Sequence, residues 1–194
     1  MVKKEHRSIM VGCILSLVLG SIWIFKDVMF QAVFSYKKIG ERTHYSGFSD
    51  DSLFSGEGTY NSGDRKDVDL VTLINEALHF SDMQLSFAAT NTRNEPDVLL
   101  KHGRAHCVGY SAFFKATLEE LLERQNIEYV EVQHAVGEVY LAGINLHQFT
   151  SRDFFKDHDY NIVVDRMSGK AYFVDPSLHD LTSIGFVRGD IYDS

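Results

Sequence analysis

Cysteine is nearly missing from this chain. Two occur in 194 residues, Cys13 and Cys107. The first lies inside an apolar run, so the pair is badly placed for a mutual disulfide and Cys107 is expected to be a free thiol. A Cys-x-x-Cys pair and a His-Glu-x-x-His motif are also lacking. The nine histidines therefore have none of the common zinc spacings, and neither a metal nor a cofactor is expected. There is no internal repeat and no low-complexity tract. A basic excess is missing too: three of the 19 basic residues (Lys3, Lys4, Arg7) and one of the 27 acidic ones (Glu5) precede Ser8, which leaves the remainder at a net charge of about −10. That balance disfavours nucleic acid and anionic lipid as partners through general electrostatics.

What is present begins with MVKKEHR, followed by the uncharged run SIMVGCILSLVLGSIWIF over residues 8–25 and then Lys26. An uncharged stretch of this length, bounded by basic residues, matches the short end of the range needed to cross a bilayer. A cleaved signal peptide is the rival reading, but the run is long for one and no Ala-x-Ala-like site follows. A lipoprotein site at Cys13 fits less well, because Ile14 to Phe25 continues the apolar run. Lys3, Lys4 and Arg7 place residues 1–7 in the cytoplasm and the rest of a single-pass, membrane-anchored chain outside it.

After the run, Val28 to Phe34 reads as a short apolar helix. Lys37 to Lys66 is polar and holds Gly40, Gly47, Gly56, Gly58 and Gly63, the composition of a tether. From Asp67 the apolar stripe Val68, Leu70, Val71, Ile74, Ala77 and Leu78 marks a helix capped by an aspartate. The expected organisation is a cytoplasmic terminus at 1–7, an anchor at 8–25, a juxtamembrane segment and tether at 26–66, and one domain at 67–194, a length with room for a single core.

Within that domain, NEPDVLLKHG predicts a short helix with Pro96 in its first turn and Gly103 past its last. It feeds a second helix over CVGYSAFFKATLEELLER, whose face is Tyr110, Phe114, Leu118, Leu121 and Leu122, with a Glu120 to Arg124 pair and Asn126 as terminator. Extending the face back three residues from Tyr110 reaches Cys107. The thiol points inward from a first turn where the helix dipole favours an anion. On this helix alone it is equally readable as plain core, since free cysteine is among the most buried residue types.

Further on, IEYVEVQHAVGEVYLAG reads as a strand or hairpin, and DHDYNIVVDRMSGKAYFVDPS as two strands around a turn. Alternation puts His158, Tyr160, Ile162 and Val164 on one face, and groups Ala171, Phe173 and Asp175. A four-residue loop at Arg166 to Gly169 pairs Tyr160 with Asp175 and makes His158 and Asp175 diagonal neighbours, close enough for a carboxylate to orient an imidazole. A thiol, a base for it and a group fixing that base form the set nucleophilic thiol catalysis needs. The other histidines read as bystanders: His106 exposed, because adjacent helical residues face apart, and His102, His134, His147 and His179 on the surface or in loops. Tyr110 and Phe114 read as core, and Asp180, Asp190 and Asp193 as solvated charge.

The runs GRAHCVGYSAFFKATLEELLERQNIEYVEV, HDYNIVVD and AYFVDPS resemble the transglutaminase-like core over roughly residues 67–180: a turn into a cysteine-bearing helix, a strand opening on histidine, and a strand ending in Val-Asp-Pro. The resemblance implies an α+β, papain-like fold in which that helix packs on an antiparallel sheet, here preceded by an N-terminal transmembrane helix. It implies a catalytic set of Cys107, His158 and Asp175, and hydrolysis or acyl transfer on peptide or protein amides through a thioester. Asp159 and Tyr160 stand where the family has an Ala-Trp pair after the histidine. The segment Ala142 to Asp157 is long enough to lie over the cleft. The amide of Cys107 is one oxyanion donor by its place at a helix start; no motif marks a side-chain donor upstream. Two alternatives remain: a membrane-tethered binding or assembly domain without turnover, and an NlpC/P60-like or papain-like cell-wall peptidase, which shares the Cys-then-His order but accounts less well for Val-Asp-Pro.

Overall fold

A computed structural model of the chain describes residues 25–43, 47–49, 69–89, 93–149 and 156–190. Among them the elements run α1 (Lys26–Val33), β1 (Phe34–Glu41), α2 (Leu70–Gln84), β2 (Ser86–Phe87), α3 (Pro96–His102), β3 (Arg104–Ala105), α4 (Cys107–Arg124), β4 (Val130–Leu141), β5 (Ile144–Asn145), a 3-10 turn (Leu146–Phe149), β6 (His158–Asp165), β7 (Lys170–Val174), α5 (Pro176–Thr182), β8 (Phe186–Val187) and β9 (Gly189–Asp190). Seven of these strands form a curled sheet in the order β8-β7-β6-β4-β1-β9, with β5 on β4, antiparallel except where β9 joins β1, while β2 and β3 form a separate parallel pair. The mixed α and β character expected from the sequence is what the chain has.

Helix α4 is the centre of the packing. From Cys107 to Leu118 it is buried on nearly every side, the condition of a helix that is apolar almost all round. Phe114, Leu118, Leu121 and Leu122 meet Leu73, Ile74, Ala77 and Leu78 of α2 and the sheet residues Val132, Val163 and Val174. Each such side chain contributes about 1.5–3 kcal/mol by leaving water. Its start, its Glu120–Arg124 ion pair at 2.6 Å and the positive φ of Asn126 just past its end match the sequence reading. So does α3, with Pro96 at its start and Gly103 at φ 65° behind it. Alternation along β6 sends Tyr160 and Ile162 to the opposite face, where they pack with Tyr36, Ala135 and Val187.

The β6–β7 register follows from its turn. Asp165 and Lys170 pair because the Asp165 carboxylate accepts the N–H groups of Met167 and Ser168 and the Ser168 hydroxyl, while Gly169 takes φ 72°, which a side chain resists. Asn161↔Val174 is the last pair of the ladder. Its continuation sets Tyr160 opposite Asp175, as the four-residue loop requires.

The tether reading needs correction. The short helix expected over Val28 to Phe34 is α1, but residues 37–41, read as the start of the tether, belong to β1, which lies inside the sheet, paired antiparallel with β4 and parallel with β9. Its apolar alternation is weak because only Tyr36 is buried; hydrogen bonds to both neighbours hold it. The domain therefore begins well before residue 67. Helix α1 is docked by polar side chains: Lys26 Nζ donates to the carbonyls of Thr182 and Ser183 at 2.8 and 3.0 Å, and Gln31 to that of Phe186 at 3.1 Å. Phe25, Val28, Met29 and Val33 face outward, exposed. The predicted anchor, Ser8 to Phe25, lies outside the described residues apart from its last position. Among the described residues no helix is long and apolar enough to cross a membrane.

This correction has a direct test. A chain cut to begin at residue 67 loses β1 and exposes the edges of β4 and β9, and is expected to lack a cooperative thermal transition by circular dichroism. A chain beginning at residue 25 is expected to keep one. A sharp transition in the shorter chain returns β1 to the status of an appendage.

Candidate functional site

The structure brings Cys107, His158 and Asp175 together from three separate elements. Cys107 is the first residue of α4 and is 9% exposed. The helix begins there because His106 is extended, with φ −105° and ψ −174°, and its ring Nδ1 accepts the N–H of Val108 at 3.3 Å. His158 opens β6 opposite Gly137 of β4. That position has no room for a side chain, since a Cβ would stand 2.6 Å from both the Lys37 carbonyl oxygen and the Tyr160 ring.

Asp175 leaves β7 and caps α5, and its carboxylate is 1% exposed. One oxygen, Oδ1, accepts the Ser177 hydroxyl at 2.8 Å and the Leu178 N–H at 3.0 Å. The other, Oδ2, accepts the Tyr36 hydroxyl at 2.8 Å and lies 2.6 Å from His158 Nε2. A carboxylate can only accept, so Nε2 carries a proton and Nδ1 is left to face the thiol. The Tyr36 ring also stacks on His158, with centroids 5.7 Å apart.

The electrostatics follow from these contacts. Burial disfavours the charged form of all three groups, and the partners overcome it. Asp175 is held below the usual carboxylate range by the charge and hydrogen bond of His158, helped by Leu178 and Tyr36. His158 is raised well above its ordinary value, chiefly by the charge of Asp175 and then by Cys107. Burial pushes the Cys107 thiol up, but hydrogen bonds from His106 and His158, the charge of His158 and the backbone amide of Asp159 bring it down to about 7. A thiol lowered beside an imidazole raised is a pair biased toward thiolate and imidazolium, the nucleophilic form.

Two bystander readings are overturned. His106 is 6% exposed and hydrogen-bonded to Cys107. It precedes the helix as its cap, so the rule for adjacent helical residues does not apply to it. His134 is 1% exposed, with Nε2 2.9 Å from the Asp159 carboxylate, which also takes two hydrogen bonds from Arg42. Alternation along β4 put His134 with Val132 and Val136 on an inward face, and that signal was readable. His147 accepts the N–H of Val139, and His179 faces Asp82 at 2.7 Å. Tyr110 and Phe114 are core. Asp193 and part of the segment Ala142 to Asp157 lie outside the described residues; Ile144 and Asn145 pair with β4. Tyr36 carried no motif, since its role depends on β1 being a strand. Among the described residues no cluster of side chains is arranged to hold a metal.

The comparisons with known proteins give no match to a family model, a curated protein or a solved structure.

The lowered Asp175 makes stability depend on pH. Its folded value lies below the unfolded one of about 4, so its contribution is present in full above about pH 4 and is lost as pH falls through the folded value. Urea midpoints measured between about pH 2 and 6 are expected to fall steeply in acid for the native chain and more gently for Asp175→Asn. Parallel acid limbs for the two proteins contradict this account of the carboxylate.

Proposed function

We propose that the chain is a membrane-anchored cysteine enzyme of the transglutaminase-like kind, acting on peptide or protein amides. The observation that carries the reading is the convergence of Cys107, His158 and Asp175, with His158 bonded to Asp175 at 2.6 Å and to the thiol on its other side. The Cys107 thiolate attacks the amide carbon, and the carbonyl pair moves to oxygen. The oxyanion sits at the start of α4, where the N–H of Cys107 has no acceptor within the helix. Collapse breaks the C–N bond while the His158 imidazolium protonates the leaving amine. The thioester then yields to water or an amine, from which His158 removes a proton, and the thiolate returns. Asp175 keeps the ring's tautomer and direction throughout.

Support for the anchor is the uncharged run at residues 8–25, together with a helix α1 that packs Phe30 on the domain and leaves Val28, Met29 and Val33 exposed. Alkaline carbonate washing is expected to leave the full chain in the membrane pellet and to release a chain that starts at residue 25. A full chain found in the wash excludes the anchor.

The chemistry is tested by incubating the protein with an activated acyl probe and weighing it intact. One acyl adduct is expected on the native chain, none on Cys107→Ala, and a loss of about 10³-fold or more in adduct formation for His158→Ala. The Cys107→Ala/His158→Ala chain should be no worse than Cys107→Ala. Asp175→Ala should keep residual turnover. Undiminished acylation in a folded His158→Ala protein removes the mechanism.

A further inference from the structure

Asp159 follows His158 directly in β6, so its side chain leaves the opposite face of the strand. There its carboxylate is 1% exposed and gripped from two sides. Arg42 Nε and Nη2 donate at 2.5 and 3.2 Å, and His134 Nε2 at 2.9 Å. Arg42 follows β1 and its own N–H donates to the His134 carbonyl at 2.9 Å. Residues of β4 and β6 and the one that follows β1 are thus locked to one another. A buried carboxylate costs several kcal/mol unless it is paired and fully hydrogen-bonded, and the mechanism above makes no use of this one. Its backbone does touch the site, because the N–H of Asp159 is a hydrogen bond to Cys107.

Resting on the reading of Cys107 as the nucleophile, we infer that Arg42, Asp159 and His134 form a clamp that aims the Asp159 backbone N–H at the Cys107 sulfur and holds the thiolate in line with His158. The peptide unit joining His158 to Asp159 is gripped on one face by the clamp and on the other by Asp175 and Tyr36 acting through the imidazole. Its N–H therefore has little freedom to turn away. Arg42 has a second effect. The Asp159 carboxylate belongs to the residue whose backbone reaches the thiol, and the guanidinium balances its charge. All three are positioning residues, and none of them touches the reacting carbon. Among the described residues, the charged and titratable groups facing this region include His106 and His158 on the thiol, Asp175 and Tyr36 behind His158, and Arg42 and His134 on Asp159.

The test uses the full chain in detergent with Cys13→Ser, so that iodoacetamide reports Cys107 alone, its rate followed by intact mass against pH. The native profile should have its midpoint near 7. His134→Phe fills the space without an N–H and should raise the midpoint by about one unit, a slowing of about fivefold at pH 7. His134→Gln returns a donor to the carboxylate and should restore most of the loss. Arg42→Gln should raise the midpoint at least as far, and Arg42→Gln/Asp159→Asn should recover part of it, because no unpaired carboxylate remains. A native midpoint near 8.5 overturns the nucleophile reading itself. A native midpoint near 7 with an unchanged profile in folded His134→Phe overturns the clamp alone, as does a loss that neither His134→Gln nor the double variant reverses. If His134→Phe does not fold, the Arg42→Gln pair of proteins decides in the same way.

Discussion

The buried Asp175 carboxylate is the constraint around which this end of the molecule is built. A charge taken fully out of water is tolerable only if its lone pairs are filled, and here four donors fill them. They come from β1, from the start of β6 and from the first turn of α5, while Asp175 itself ends β7. One side chain therefore sits where one strand starts, another stops and a helix begins, and it sets which way an imidazole points. Replacing it by a neutral residue disturbs fold and chemistry together, whereas the isosteric amide separates them: it can still cap α5 but can no longer hold an imidazolium.

The strand β6 serves two faces at once. His158 looks toward Tyr36 and Asp175, and Asp159 looks toward Arg42 and His134. Each carries half of an ionised network, and the peptide between them is common to both. With His106 contributing from the helix cap, the thiol is surrounded by two imidazoles and a backbone N–H. Those partners pull the Cys107 thiol below its ordinary range in a residue only 9% exposed, although burial by itself works in the opposite direction.

Much of this was legible in the sequence where local rules act alone. The period of α4 placed Cys107 at its first turn, and the four-residue turn Arg166 to Gly169 fixed the register that brings His158 and Asp175 together. What escaped was whatever depended on a distant partner. β1 has one buried side chain and is held by hydrogen bonds to β4 and β9, so hydropathy could not mark it, and Tyr36 went with it. His106 was judged as though it were inside the helix it caps. His134 lay on a legible inward face, but a polar residue in an apolar strand becomes intelligible only when its partner, Asp159, is seen twenty-five positions later. The proposed transglutaminase-like reading rests on motif order and on the geometry of Cys107, His158 and Asp175.

The docking of α1 has a geometric consequence. Lys26 grips the carbonyls at the carboxyl end of α5, and Asp175 caps the other end of the same seven-residue helix, about 10 Å away at 1.5 Å per residue. The point where α1 docks and the carboxylate that holds the His158 ring are therefore opposite ends of one short helix.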